Sequence, residues 1–247
     1  MTVNFSQWDE DVIVGGLVAA LGWSPAEMFC VEFGASDGVS LSNTRFWREQ
    51  GAAALLIESA RTLAEEARAS ALERDVVAHS RVRPTGDFSI DALVARHLDV
   101  SEINLMSVDV DGDDYLIVQH MALRPGILIV EYNPSIPSGW IVKPTETGHR
   151  LGCSLAALCE LNGKRDYVLA AATQANGIFV RSDLAERAGV GALTAADVQD
   201  GTLHHPVVAV SDYDGNVVPI DTESGFYWGF PGVFIGDQGH SVRRIEP

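Results

Sequence analysis

The stretch Phe29-Cys30-Val31-Glu32-Phe33-Gly34-Ala35-Ser36-Asp37-Gly38 decides how the chain folds. Phe29 to Phe33 is a short, mostly apolar run that ends at a glycine, the pattern of a buried strand feeding a tight turn. Gly34 and Gly38 let the backbone turn sharply and lie against a ligand with no side chain between them. The turn has the form of a nucleotide-binding loop. It lacks the G-x-G-x-x-G spacing of a dinucleotide site and the lysine of a phosphate-binding loop. Glu32 and Asp37 can accept hydrogen bonds from an ammonium group, and a pyrophosphate site would avoid them. A ligand with an adenosine and an amino acid part, but no phosphate, fits these residues.

Working outward, strand and helix alternate. Residues from Ser42 or Asn43 to Gln50 read as a helix closed by Gly51, Ala53 to Ile57 as a strand ending at Glu58, and Leu63 to Leu72 as a helix. Asp75 to His79 is a third strand, Ser89 to His97 a helix, Ile103 to Val110 a fourth strand, Tyr115 to Ala122 a helix, and Ile127 to Glu131 a fifth strand. Upstream, the chain to about Leu21 reads as a helix covering one side of the domain. Asn133 to Gly152, with Pro134, Pro137 and Pro144, reads as irregular, and Ser154 to Asn162 as a helix. Tyr167 to Ala172 and Gly177 to Arg181 read as an antiparallel pair.

Short apolar strands alternating with helices predict an α/β fold with a mostly parallel sheet covered on both faces. One domain is expected over 1–247, with a motif core at about 28–182 and a C-terminal extension at about 183–247. Ligands of such sheets bind at the carboxyl ends of the strands, near the switch in strand order. Glu32, Glu58, Asp109 and Glu131 stand at four of those ends. Glu58, one strand after the glycine loop, is placed to take both ribose hydroxyls.

Composition narrows the partners. The formal charge is −17, and Lys143 and Lys164 are the only lysines. Nucleic acid and anionic membrane surfaces need a basic face, so neither is expected. A neutral or cationic small molecule suits the balance. Three cysteines, Cys30, Cys153 and Cys159, do not suggest a disulfide framework. The apolar run Val12 to Leu21 is shorter than the about 20 residues that span a bilayer, and no basic-then-apolar leader precedes it, so a soluble, cytoplasmic protein is expected.

Taken in order, Glu32-Phe33-Gly34-Ala35-Ser36-Asp37-Gly38, then Glu58, then Val108-Asp109-Val110-Asp111-Gly112 resemble class I S-adenosylmethionine-dependent methyltransferases, and within them the FkbM-like O-methyltransferases. The resemblance covers about residues 28 to 182. It implies a Rossmann-like methyltransferase fold, a mostly parallel seven-stranded sheet with helices on both faces and an antiparallel terminal strand. It implies S-adenosylmethionine held by Glu32, Gly34, Ala35, Ser36, Asp37, Gly38, Glu58 and Asp109. It also implies a hydroxyl acceptor, either a polyketide-like metabolite or a sugar, with a carbohydrate the first choice. The chain departs from the family where Asp111 replaces a glutamate and where a long segment follows Glu131.

Asp109, Asp111, Asp113 and Asp114 crowd one strand end, and like charges this close need a cation or a proton to relieve them. If the strand continues, Asp109 and Asp111 point to one side, and Glu131 and Asn133 share a side on the next strand. Asp109, Asp111, Glu131 and Asn133 are therefore the expected oxygen ligands of Mg²⁺, an arrangement similar to that of catechol-type O-methyltransferases. The competing reading makes Asp113 and Asp114 the first acids of a helix. His149, in the segment that should overhang the site, is the candidate general base, with Asp109 beside it in the catalytic set.

Asp212-Tyr213-Asp214-Gly215-Asn216 reads as a type I′ hairpin turn. The aromatic cluster Phe226, Tyr227, Trp228 and Phe230 suits a sheet-edge core, a sugar-stacking surface or a homodimer contact. Two other functions stay open. Asp109-Val110-Asp111-Gly112 also matches the motif of haloacid-dehalogenase-like phosphatases, although Asp113 stands where that family has threonine. A non-catalytic binding module on the same fold is the other.

Overall fold

The computed structural model describes residues 4–97, 102–144 and 152–199, together with the backbone of three later strands, Val207–Ser211, Val217–Asp221 and Ser241–Arg244. Helix α1 (Glu10–Leu21) precedes β1 (Phe29–Phe33), which is followed by α2 (Arg45–Arg48), β2 (Ala53–Glu58), α3 (Arg61–Ala69) and β3 (Asp75–His79). Then come α4 (Ile90–His97), β4 (Leu105–Val108), α5 (Asp114–His120), β5 (Ile127–Glu131) and β6 (Trp140–Lys143). Helix α6 (Leu155–Gly163), β7 (Tyr167–Ala172), β8 (Asn176–Arg181), α7 (Ser182–Ala188), α8 (Ala195–Val198), β9 (Val207–Ser211), β10 (Val217–Asp221) and β11 (Ser241–Arg244) follow.

Seven strands form one sheet in the order β3-β2-β1-β4-β5-β8-β7. The first five are parallel, and β8 runs antiparallel between β5 and β7. Their side chains are apolar on both faces because both faces are covered. On one side Cys30, Ala54, Leu56, Leu105, Ile127, Ile129, Ile178 and Val180 pack under Val14, Leu17, Val18 and Leu21 of α1. On the other, Val31, Phe33, Leu55, Ile57, Met106, Val108, Leu128 and Val130 pack against α4, α5 and α6. This is the Rossmann-like methyltransferase arrangement, and its strand order reverses between β1 and β4. The carboxyl ends of those two strands therefore frame the crevice where a ligand fits.

Three differences from the sequence reading matter for the site. The helix expected from Ser42 or Asn43 shrinks to Arg45–Arg48. The Glu32 carboxylate draws in the Ser42 hydroxyl at 2.7 Å, the Asn43 N–H at 2.7 Å and the Thr44 hydroxyl at 2.5 Å, so 42–44 form a turn. The fourth strand ends at Val108, two residues early, and Asp111 turns left-handed with φ 55°. The segment after Glu131 holds a strand, β6, that pairs antiparallel with β11. The extension holds α7 and α8, the latter closed by a Thr194–Asp197 capping box.

Strands β9 and β10 pair antiparallel on either side of 212–216. The turn itself and the aromatic cluster at 226–230 lie outside the described residues. Among the described residues, no helix is long and apolar enough to cross a membrane.

Candidate functional site

The glycine loop leaves β1 against the end of β4. In register, Phe33 stands beside Val108, so the next residue, Gly34, meets Asp109. Gly34 has φ 68°, and a Cβ there would overlap the Asp109 carbonyl oxygen. The first demand for glycine at 34 thus comes from the neighbouring backbone. Gly34 and Ala35 donate their N–H groups to the Ile57 carbonyl, and Ser36, left-handed with φ 49°, donates to Glu58 Oε2 at 2.9 Å. Glu58 Oε1 accepts from the Ala60 N–H at 2.7 Å. Glu58 is therefore buried at the crevice and tied to the loop, where the sequence reading placed a ribose acceptor.

Asp37 caps its own turn by accepting from the Val39 and Ser40 N–H groups and the Ser40 hydroxyl. Partial burial raises its pKa, but these donors outweigh it and hold the carboxyl below the ordinary range. Gly38, at φ 76°, lets its carbonyl reach Arg48 Nη1 at 2.7 Å. Arg48 is fully buried and grips Asp75 through Nε and Nη2. Arg45 also reaches this region, where it bonds Glu49 and the Ser70 carbonyl. Arg45 and Arg48 are thus both held by protein partners. Glu32 is 4% exposed with its oxygens taken by the 42–44 turn, and burial raises its pKa against the Thr44 and Ser42 bonds. In this structure it builds the loop from within rather than facing a ligand.

The ends of β4 and β5 bring three acids together. Asp109, Asp114 and Glu131 each place a carboxylate oxygen within 4.8 Å of the others. Asp109 and Glu131 share a hydrogen bond, and burial together with neighbouring acids pushes both pKa values up, so the pair retains a proton that isolated carboxyls would release. Burial moves Asp114 up to about 6, against the N–H bonds it accepts from Val110 and Gly112 at 2.8 Å each. Among the described residues, no basic side chain forms an ion pair with any of the three.

Of the expected oxygen set of Asp109, Asp111, Glu131 and Asn133, Asp109 and Glu131 stand in this acid group, with Asp114 beside them. Asp111 lies outside the group of three and is exposed, because its left-handed turn swings it off the strand path. Asn133 Oδ1 accepts from the Ser135 N–H at 2.9 Å and hydroxyl at 2.6 Å. Asp114, read as a helix acid, performs that part through the two N–H groups and also joins the acid group. Position alone does not separate those uses in a sequence.

His149 lies outside the described residues. His79 and His120 bond backbone carbonyls of Ser59 and Leu116 locally. Lys143 and Lys164 both pair with Glu160. The three cysteines are free, and burial pushes their thiols up.

Sequence reasoning also missed a polar joint on the α1 side. Glu10 is fully buried, and its Oε1 accepts from the Thr173 hydroxyl at 2.6 Å and from Asn176 Nδ2 at 2.8 Å. Its Oε2 holds the Trp8 N–H at 2.8 Å. Asn176 is the register partner of Glu131. A glutamate at the start of an apolar helix was the only available signal.

The chain matches no family model and no curated protein. Solved structures similar to it include methyltransferases. An S-adenosylmethionine-dependent methyltransferase from Aquifex aeolicus is 8% identical, with 70% of this chain and 89% of that one covered and a TM-score of 0.42. An amino pentose methyltransferase of calicheamicin biosynthesis from Micromonospora echinaspora, bound to S-adenosylmethionine, is 13% identical over 70% and 90%, with a TM-score of 0.42. A mitomycin 7-O-methyltransferase is 14% identical over 69% and 54%, with a TM-score of 0.38.

Proposed function

We propose that this chain transfers the methyl group of S-adenosylmethionine to a hydroxyl of a small molecule, a carbohydrate first among them, with magnesium assistance at Asp109 and Glu131. The observation that carries the reading is the meeting of a bare-backbone loop, 34–38, with Glu58 and Asp109 at the reversal of strand order between β1 and β4. When bound, S-adenosylmethionine supplies an already activated sulfonium methyl.

What remains for the chain is to bind, orient and move one proton. Glu58 Oε2 stands where ribose hydroxyls compete with the Ser36 N–H for the carboxylate. The acids of β4 and β5 favour a positively charged donor, and Arg45 and Arg48 are both held by carboxylates. Holding the acceptor oxygen in line with the methyl carbon contributes much of the rate in such a transfer. A carboxylate of the Asp109–Glu131 pair that is ionised and not holding magnesium would take the hydroxyl proton. The lysines bound to Glu160 weigh against the phosphatase reading.

Calorimetric titration of the full chain with S-adenosylmethionine tests the donor. Saturable binding supports the proposal, and a folded protein that gives no heat refutes it. A screen of sugars and phenols for S-adenosylhomocysteine release then tests the acceptor. Turnover of phenols and no sugar would remove the carbohydrate, and binding without any turnover would favour a non-catalytic module.

A further inference from the structure

Helix α1 runs down the sheet against β5. At its start, Glu10 accepts from Asn176 Nδ2 at 2.8 Å and from the Thr173 hydroxyl at 2.6 Å. Asn176 is the register partner of Glu131. The two side chains share the α1 face, because Ile127 and Ile129 of β5 and Ile178 and Val180 of β8 pack there. Beyond the other end of α1, Trp23 packs on Gly126, the residue before β5, where a Cβ would overlap its ring. Twelve helical residues rise about 18 Å and five strand residues about 17 Å, so α1 spans the length of β5. Residues 4–9 therefore lie past the carboxyl end of the sheet, at the rim of the crevice beside the acid group.

That rim is held by hydrogen bonds. Asn4 Nδ2 donates to Asp9 Oδ1 at 2.7 Å, the Phe5 and Ser6 N–H groups donate to Asp11 Oδ2, and the Trp8 N–H donates to Glu10 Oε2 at 2.8 Å. One fully buried carboxylate, Glu10, thus ties the Trp8 backbone to the neighbour of Glu131, and the Trp8 side chain stays 43% exposed. An exposed apolar side chain alone is ordinary on a protein surface. Here an anchored backbone holds an indole at the mouth of a site that carries acids. A sugar ring has hydroxyls around its edge and C–H bonds on its faces. Carboxylates accept from the edge, and the face of an aromatic ring suits the C–H bonds. We infer that Trp8 is the stacking residue for the acceptor, a monosaccharide ring whose face lies on the indole while its hydroxyls turn toward Asp109 and Glu131. The choice of a carbohydrate rests on the methyl-transfer reading, whereas the placement of Trp8 rests on the hydrogen bonds alone.

Saturation-transfer difference NMR on the full chain tests the assignment. The probe is a mixture of the methyl glycosides of glucose, galactose, mannose and xylose, with no methyl donor present. Ring C–H protons of at least one glycoside should receive saturation. Trp8→Ala should cut that signal by about fivefold or more, and Trp8→Phe, which keeps an aromatic face, should retain roughly half of it or more. The tie to Glu10 uses the backbone N–H, so both variants keep it and should melt within about 2 °C of the unaltered chain. Where Trp8→Ala does not fold, Trp8→Gln takes its place with the same expected loss. Val12→Ala removes a more exposed apolar side chain from α1 itself and should leave the signal unchanged. S-adenosylmethionine affinity by calorimetry should agree within about twofold between the unaltered chain and Trp8→Ala. No saturated glycoside, a signal that survives Trp8→Ala, or an equal loss from Trp8→Phe or Val12→Ala overturns the assignment. A fall in donor affinity in Trp8→Ala that matches the loss of sugar also overturns it. A chain that binds glycosides through Trp8 but no S-adenosylmethionine refutes the methyl donor instead and leaves the stacking residue in place.

Discussion

Gly34→Ala probes the point where the β1 loop rests on the end of β4. The backbone at 34 has φ 68°, a left-handed conformation that costs a residue with a side chain about 1–2 kcal/mol. The added methyl would also overlap the Asp109 carbonyl oxygen, which belongs to backbone and cannot rotate away. Forcing an extra carbon into packed surroundings costs a further about 1–3 kcal/mol. The sum, about 2–5 kcal/mol, is a large share of a typical stability of about 5–15 kcal/mol. Gly38→Ala is the matched control. Its φ of 76° carries the same backbone cost, but its new Cβ would meet only side-chain atoms, the Ser70 hydroxyl at 3.2 Å and the Ala67 methyl and Leu56 Cδ1 at 3.4 Å each. Its cost should therefore stay near about 1–2 kcal/mol. Urea unfolding followed by far-ultraviolet circular dichroism measures both. Because the clash moves Asp109, Gly34→Ala should also weaken S-adenosylmethionine binding more than Gly38→Ala does. If Gly34→Ala costs less than Gly38→Ala, or lies within about 0.5 kcal/mol of the unaltered chain, the close approach of the loop to β4 is not real.

The buried Arg48–Asp75 pair pins the Gly38 carbonyl, so Arg48→Met should strand Asp75 and cost about 3–5 kcal/mol in urea unfolding, while adding Asp75→Leu should recover most of the loss. Recovery of none of it would refute the ion-pair account. Glu58→Gln keeps an acceptor for the Ser36 N–H but loses charge toward a ribose, and calorimetry should show S-adenosylmethionine binding weaker by about tenfold, or about 1.4 kcal/mol; unchanged affinity would remove Glu58 from the ligand. Asp114 is raised to about 6 and the Asp109–Glu131 pair is also raised, so the folded state retains protons that the unfolded chain releases. Their penalty is absent below about pH 4 and grows as pH rises through the folded values, so the melting temperature should fall from pH 5 to pH 8. Asp109→Asn with Glu131→Gln should flatten that fall, and an equally steep fall in the variant would contradict the assignment.

The strands were legible because burial on both faces leaves little but apolar residues in them. Asp75–His79, Ile127–Glu131 and Tyr167–Ala172 have the bounds that the sequence reading gave them, although in β3, at the sheet edge, only Ala78 is buried. The site was legible to the level of its strand ends and not below, for a physical reason. An acid at a strand end has two uses, and a sequence does not distinguish them. It can turn inward and fold the next loop, or it can face the crevice. Glu32 turns inward, since the 42–44 turn takes its oxygens and shortens the following helix. Glu58 and Asp114 do both, each holding N–H groups of its own turn while bordering the crevice or the acid group. Asp109 and Glu131 bond each other. The alternation that placed Asp111 beside Asp109 holds only while a strand lasts, and β4 stops at Val108. Glu10 and Asn176 are joined across 166 residues, which no local pattern reports. On the proposed reading, the strand-end acids least used by the fold, Asp109 and Glu131, are those that serve chemistry, while Glu32, the residue that the glycine loop made most conspicuous, spends its oxygens on the 42–44 turn.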